Sequence, residues 1–282
     1  MKKASTATKA VGAAARPTLR ALFGTAKPVI GMAHLLPLPG SPLYDKKAGV
    51  DGIAEAVARD VQALQAGGVD AIMFGNEGDR PYVLAAPPEA LAAMAAIVAR
   101  VAPTVKIPFG VDFLWDPVAT VALAVATGAR FAREVFTGVY DSDMGLWKPD
   151  GATALRRRAE LDRDDLLLLF NVNAEFAAPM GERAVAAKAK SAVFSSLADV
   201  VCVSGPMTGE AAENSAIAAV KKAVGATPVF ANTGVNRDNV AAILTHGDGV
   251  VVGTHLKKDG VTWNAVDRAR VAKFMDAVRK AR

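Results

Sequence analysis

The 282-residue chain has one cysteine, Cys202, so it offers neither an intrachain disulfide nor a multi-cysteine zinc site. Cys202 lies in the apolar run DVVCVS, where a small core residue is expected rather than a nucleophile. No stretch approaches the roughly 18 consecutive apolar residues of a membrane span. H-E-x-x-H, G-x-S-x-G and G-x-x-x-x-G-K-[ST] are all missing, so the sequence gives no support to zincin, serine-hydrolase or P-loop chemistry. Acid is missing from the first 44 residues, which carry Lys2, Lys3, Lys9, Arg16, Arg20 and Lys27. Removing these six from the 33 basic residues leaves 27 against 28 acidic ones, so the net charge of +5 belongs to the N-terminus. A near-neutral body argues against nucleic acid as a partner. VGAAA is the longest apolar run of that N-terminus, too short for a secretory signal. The expectation is a flexible basic extension over residues 1–18, then a single cytoplasmic domain over 19–282.

Hydrophobic residues make up 52% of the chain and charged ones 22%, enough to bury a sizeable core. Apolar, β-rich runs alternate with Ala-rich helical stretches. Strands are expected near Pro28–Ala33, Asp70–Phe74, Ile107–Phe113, Phe131–Phe136, Leu166–Asn171, Val200–Val203, Pro228–Ala231 and Gly249–Val252. The joints LQAGGVDAIMF, AVATGARFAREV and AVGATPVF share one pattern, a helix stopping at glycine before a strand. Asp116-Pro117 reads as an N-cap followed by proline at the first helical position. Eight such units imply an α/β fold, a (β/α)8 TIM barrel. A doubly wound sheet is the alternative, but no G-x-G-x-x-G turn follows the first strand. The basic run Arg156–Arg158 reads as a solvated helix face.

In such a barrel, function gathers where strands end and βα loops begin. His34 closes the first strand, and Asn76, Glu77 and Asp79 follow the second. Asp112 interrupts an apolar third strand, and the fourth carries Arg133 and Glu134. Asn171, Asn173 and Glu175 recur at every second position and would share one face if the fifth strand continued. A charge on an outward face would be costly, so these residues are candidates for a site. Asp112 could equally form an inward ion pair with Arg133 that only fixes strand geometry. Asn232, Thr233 and Gly234 end the seventh strand and Gly253 and Thr254 the eighth, where backbone amides bind phosphate. Lys257 and Lys258 could assist there or be a solvated helix end. A divalent metal is the only cofactor suggested, through Glu77, Asp79, Asp112 or Glu175, and no spacing demands it. Trp115 and Trp147 could stack on a sugar or base, while Trp263 is expected near the C-terminal helix. Lys27 and Lys106 precede their strands and Lys148 lies in a loop, which disfavours a Schiff-base aldolase.

The segments KPVIGMAHLLPLPGSP, GGVDAIMFGNEGDRPY, IPFGVDFLWDPVA, TGARFAREVFTGVYDSDMGLW, ANTGVNRDNV and VGTHLKKDGV resemble the BtpA/SgcQ family, most closely its SgcQ-like branch. The resemblance spans about residues 19–280. It implies a TIM barrel similar to the ribulose-phosphate-binding barrels, with phosphate at Thr233–Gly234 and Gly253–Thr254. Cyanobacterial members are linked to photosystem I biogenesis, and SgcQ-like ones to sugar-utilisation gene clusters. Two segments depart from the family pattern. Asp112 stands where Asn is expected, and FNVNAEF replaces a Lys/His-bearing exit.

The leading expectation is an enzyme acting on a small phosphorylated sugar or related carbohydrate or nucleoside metabolite, of isomerase, epimerase or lyase type. Glu77 and Asp112 would serve as base and acid, and Arg133 would stabilise developing negative charge. Glu134 and His34 complete the catalytic candidates, and a homo-oligomer is expected. The alternative is a non-catalytic ligand-binding or assembly barrel.

Overall fold

Period-two alternation sorts each apolar run onto two faces, and closing the sheet gives each face its own core. The computed structural model describes residues 16–282. Its eight parallel strands are β1 Val29–His34, β2 Ala71–Gly75, β3 Phe109–Asp112, β4 Phe131–Glu134, β5 Leu167–Asn171, β6 Val200–Val203, β7 Val229–Ala231 and β8 Gly249–Val252. They close into one barrel with every strand beside its sequence neighbours, and β8 pairs β1. A helix follows each strand, from Gly49–Gly67 after β1 to Arg268–Ala281 after β8. The fold is the (β/α)8 barrel expected from the sequence.

Outward residues such as Val29, Phe74, Val111, Leu168 and Val250 bury against the helices. Inward residues, among them Ile30, Met73, Leu169, Cys202, Phe230 and Val251, fill the barrel. Cys202 is therefore a core residue, and burial pushes its thiol up to about 12. The lower mouth is plugged by the short helix Leu19–Phe23, whose Phe23 ring meets Phe131 edge-on at 5.4 Å. Residues up to 15 of the expected extension lie outside the described residues. Within its remainder, Arg16 pairs with Asp199, and Thr18 caps the plug helix.

The helix-to-strand joints do more than turn the chain. Gly68 and Gly128 end their helices in the left-handed conformation, and Asp116 caps Pro117–Thr127 as its sequence predicts. At three joints an aspartate also accepts the first amides of the preceding strand. Asp70 holds Val29 N, Asp199 holds Leu168 N and Asp248 holds Val229 N, at 2.7–2.9 Å. Each is neutralised by a cation, Arg282, Arg158 and Lys221 respectively. This corrects the reading of Arg156–Arg158 as wholly solvated. Arg158 is buried, because the lower rim uses its charge to balance Asp199.

An antiparallel sheet absent from the sequence reading rises beside the upper mouth. It joins Gly145–Trp147, Tyr140–Ser142 and Ala177–Pro179, from the loops after β4 and β5. Beneath it Trp115, Tyr140 and Trp147 form a separate aromatic cluster, with the two indoles 5.1 Å apart.

The inner packing leaves no room for a methyl group at Gly110. A Cβ there would lie 2.3 Å from the Phe131 ring and 2.7 Å from its carbonyl oxygen. Gly110→Ala is therefore expected to destabilise the barrel by about 1–3 kcal/mol. Urea denaturation checks this, and an unshifted midpoint would contradict the packing described.

Candidate functional site

The top interior layer of the barrel is polar. Arg133 of β4 donates through Nε to Asp112 Oδ2 of β3 at 2.8 Å, and its Nη2 reaches the same oxygen. Its Nη1 donates to Asn232 Oδ1 at 2.7 Å, just past β7. Burial pulls the guanidinium pKa down, but Asp112, Glu175 and Glu77 outweigh it and hold the group above its ordinary value. Glu134 lies beside Asp112 and accepts from Val135 N through Oε2 at 2.6 Å. Burial, then the charge of Asp112, pushes Glu134 well above the usual carboxylate range. Burial also raises Asp112, opposed by Arg133.

Above this layer opens a cavity of about 200 Å³, lined on one side by His34, Glu77, Arg133, Glu175 and Asn232. His34 Nε2 and Glu77 Oε1 stand 3.4 Å apart, both side chains buried. Burial lifts Glu77 to about 8, with Arg133 opposing and Asp112 adding to the rise. Burial, then the charges of Lys257 and Arg133, lowers His34 well below its usual value. At neutral pH the pair is thus a largely protonated carboxyl beside a neutral imidazole. Glu175 accepts from Thr208 at 2.9 Å and from Asn232 at 3.4 Å, and burial raises it against the pull of Arg133.

The opposite wall consists of the turns after β7 and β8. Gly234 sits at φ +59°, and a Cβ there would lie 2.1 Å from Ala211 N, so only glycine lets the β6 loop close over this turn. Among the described residues, the amides of Gly234, Val235, Thr254 and His255 donate to no protein acceptor. Thr254 Oγ1 bonds Thr262 Oγ1 at 2.8 Å, and Thr233 Oγ1 accepts from Gly205 N. Arg270 lines the same wall. Its Nε donates to His255 O at 2.9 Å, and it joins no ion pair among the described residues.

The cavity therefore brings together His34, Glu77, Arg133, Glu175, Asn232, Thr233, Gly234, Gly253 and Thr254. It does not include Asp112, which is fully buried under Arg133, nor Glu134 beside it. Asn76 accepts from Leu114 N at 2.7 Å and so ties the second exit to the third. The fifth strand ends at Asn171, so the shared face does not extend. Asn171 is buried without a side-chain partner, whereas Asn173 exchanges two hydrogen bonds with the Ser204 backbone. Trp115 lines the cavity, but Trp147 is buried beneath the side sheet. Lys257 is no solvated helix end, because it is 1% exposed and bonds Asp60 at 2.7 Å. Among the described residues no three His, Cys, Asp or Glu side chains form a metal-ligand set. Of the expected carboxylates, Asp112 is committed to Arg133 and Glu175 to Thr208 and Asn232.

Arg270, Tyr82 and Thr208 were not singled out from the sequence. Arg270 lies two residues inside the last helix and reaches the cavity only because that helix starts at the upper mouth. Its signal was an arginine in the first turn, where a cation opposes the helix dipole and calls for a reason.

The model of the BtpA family matches residues 25–280. The chain is 44% identical over 264 residues to the sgc region protein SgcQ of Escherichia coli, covering 94% of this chain and 98% of that one. It is 34% identical over 259 residues to the photosystem I biogenesis protein BtpA of Synechocystis, covering 91% and 89%. Among solved structures, a KDPGal structure superposes with a TM-score of 0.57 at 19% identity, covering 92% of this chain and 98% of that one. Phosphoribosyl anthranilate isomerase from Thermus thermophilus gives 0.55 at 13%, covering 90% and 100%. At these identities the two superpositions concern the fold alone.

The folded chain holds the Glu77 proton up to about pH 8, whereas the unfolded chain releases it near 4.5. The contribution of protonated Glu77 is complete below the unfolded value and is lost as pH rises through that window. Glu77→Gln, neutral throughout, is expected to lose less Tm than the unsubstituted protein between about pH 5 and about pH 9. Thermal melts across that range check it, and an unchanged slope would count against the assignment.

Proposed function

The chain belongs to the BtpA family, and from that membership and the cavity we propose an enzyme acting on a small phosphorylated sugar or related metabolite by acid–base chemistry. The observation that carries this reading is the Glu77–His34 pair, two buried groups 3.4 Å apart with opposite pKa displacements, facing a wall of unused amides. Titratable neighbours pushed apart in this way divide acid and base roles at neutral pH. The neutral imidazole accepts a proton from a carbon next to a carbonyl, and the Glu77 carboxyl returns one. Isomerisation, epimerisation and retro-aldol cleavage all use such an exchange.

Negative charge that develops on the carbonyl oxygen meets Arg133, which lines the cavity and commits three of its N–H groups to Asp112 and Asn232. The phosphate rests on the amides of the Gly234 and Thr254 turns, with the free edge of Arg270 as its counter-charge. Asp112, placed as the acid by sequence reasoning, is better suited to holding Arg133. A cytoplasmic location agrees with a phosphorylated substrate. Among the described residues, no helix is long and apolar enough to cross a membrane.

A thermal-shift screen of sugar phosphates, followed by turnover assays on the best ligand, tests this reading. Glu77→Gln and His34→Gln are each expected to lower kcat at least about 100-fold with little change in binding. Arg270→Gln is expected to weaken phosphate-dependent binding by about tenfold with the fold intact. A chain that no phosphorylated compound stabilises would instead support a non-catalytic assembly role, as the name of the Synechocystis relative suggests.

A further inference from the structure

Behind His34 lies a second cavity of about 180 Å³, which shares only that residue with the first. Its walls come from the loop after β1, the helix Gly49–Gly67 and the loops after β2 and β8. Leu35, Leu36, Pro37, Ala56 and Ala265 give it an apolar lining. Its floor is locked where Lys257 meets Asp60, which also accepts from Val266 N at 2.8 Å.

Across the opening, Arg80 of the β2 loop stacks on Trp263 of the β8 loop, with the guanidinium carbon 3.6 Å from the ring centroid. Trp263, expected against the C-terminal helix, is instead 48% exposed and covered by this guanidinium. Stacking occupies one face of the guanidinium and leaves its N–H edge in the plane of the group. That edge is unused. Arg80 Nε is buried without an acceptor, and neither Arg80 nor the nearby Arg59 joins an ion pair among the described residues. His34 Nδ1, in a side chain 7% exposed, also has no hydrogen-bond partner.

A buried donor without an acceptor is unfavourable, and a ligand oxygen on this edge would satisfy it. Apolar walls beside an unpaired guanidinium edge suit a ligand with a hydrocarbon body and a planar anion at one end. Carboxylates take the Nε and Nη edge in a two-pronged fork, and a flat anion leaves the hydrocarbon body free to lie along the apolar walls. We propose that the second cavity is a binding site for a small apolar carboxylate, its ring or branched chain against Leu35, Pro37 and Ala265 and its carboxylate on Arg80. The site is separate from the acid–base cavity, and its occupant would touch the far side of the His34 imidazole.

Calorimetric titration of the full chain with benzoate tests the proposal, with benzyl alcohol as the uncharged control and inorganic phosphate as the ligand of the first cavity. Benzoate is expected to bind at about millimolar Kd or tighter, and benzyl alcohol at least about tenfold more weakly. Arg80→Gln, at a half-buried position, is expected to cost benzoate about tenfold or more and leave phosphate binding unchanged. Arg270→Gln is expected to do the reverse. Ala265→Leu, with its fold checked by thermal melting, is expected to fill the cavity and block benzoate alone. Failure of benzoate to bind, equal binding of benzyl alcohol, indifference to Arg80→Gln or displacement of benzoate by phosphate would each overturn the assignment. Loss of phosphate binding alone would count against the acid–base reading and leave this one standing.

Discussion

A guanidinium taken out of water inside a closed barrel costs several kcal/mol unless its charge is matched, and Arg133 imposes that constraint on everything around it. Asp112 matches the charge from the neighbouring strand, and Asn232 accepts from Nη1 across the barrel. Burial, then the charge of Asp112, pushes Glu134 beside it well above the usual carboxylate range. One arginine thereby links β3, β4 and the end of β7 into a single layer. That layer supports the cavity above it and separates it from the apolar filling below.

The same constraint explains why the cavity has two unlike sides. Burial outweighs the pull of Arg133 on Glu77 and lifts it to about 8, so it stays largely protonated near neutrality. Burial, then the charges of Lys257 and Arg133, leaves His34 neutral beside it. Among the described residues the opposite wall has no carboxylate, only turns that present amides and the edge of Arg270. Proton transfer and anion binding thus occupy different loops, and the barrel holds them at a constant separation.

Much of this arrangement was legible along the chain. Period-two alternation and helix stops at glycine placed the strands to within a few residues, because local sterics and burial act over short distances. The third and fourth strands are shorter than their apolar runs, Phe109–Asp112 and Phe131–Glu134, because pairing ends where the loops turn away. The side sheet was not legible, since three-residue strands drawn from two separate loops have no periodicity to read. Arg158 and Lys257 looked like solvent-facing charges in sequence. Their burial depends on Asp199 and Asp60, which lie 41 and 197 residues away along the chain.

Residue types and their spacing by themselves determined the barrel, the polar character of the strand exits and the glycine turns after the last two strands. Each of these follows from backbone conformation and the alternation of faces, which every short segment carries within itself. Only the tertiary structure decided which polar residues share a cavity and which of them hold protons. It set Asp112 beneath Arg133, paired Glu77 with His34, brought Arg270 to the anion wall and opened a second cavity behind the imidazole. Charge and desolvation act through space, so the role of an ionisable side chain depends on neighbours that the chain brings from other strands and loops.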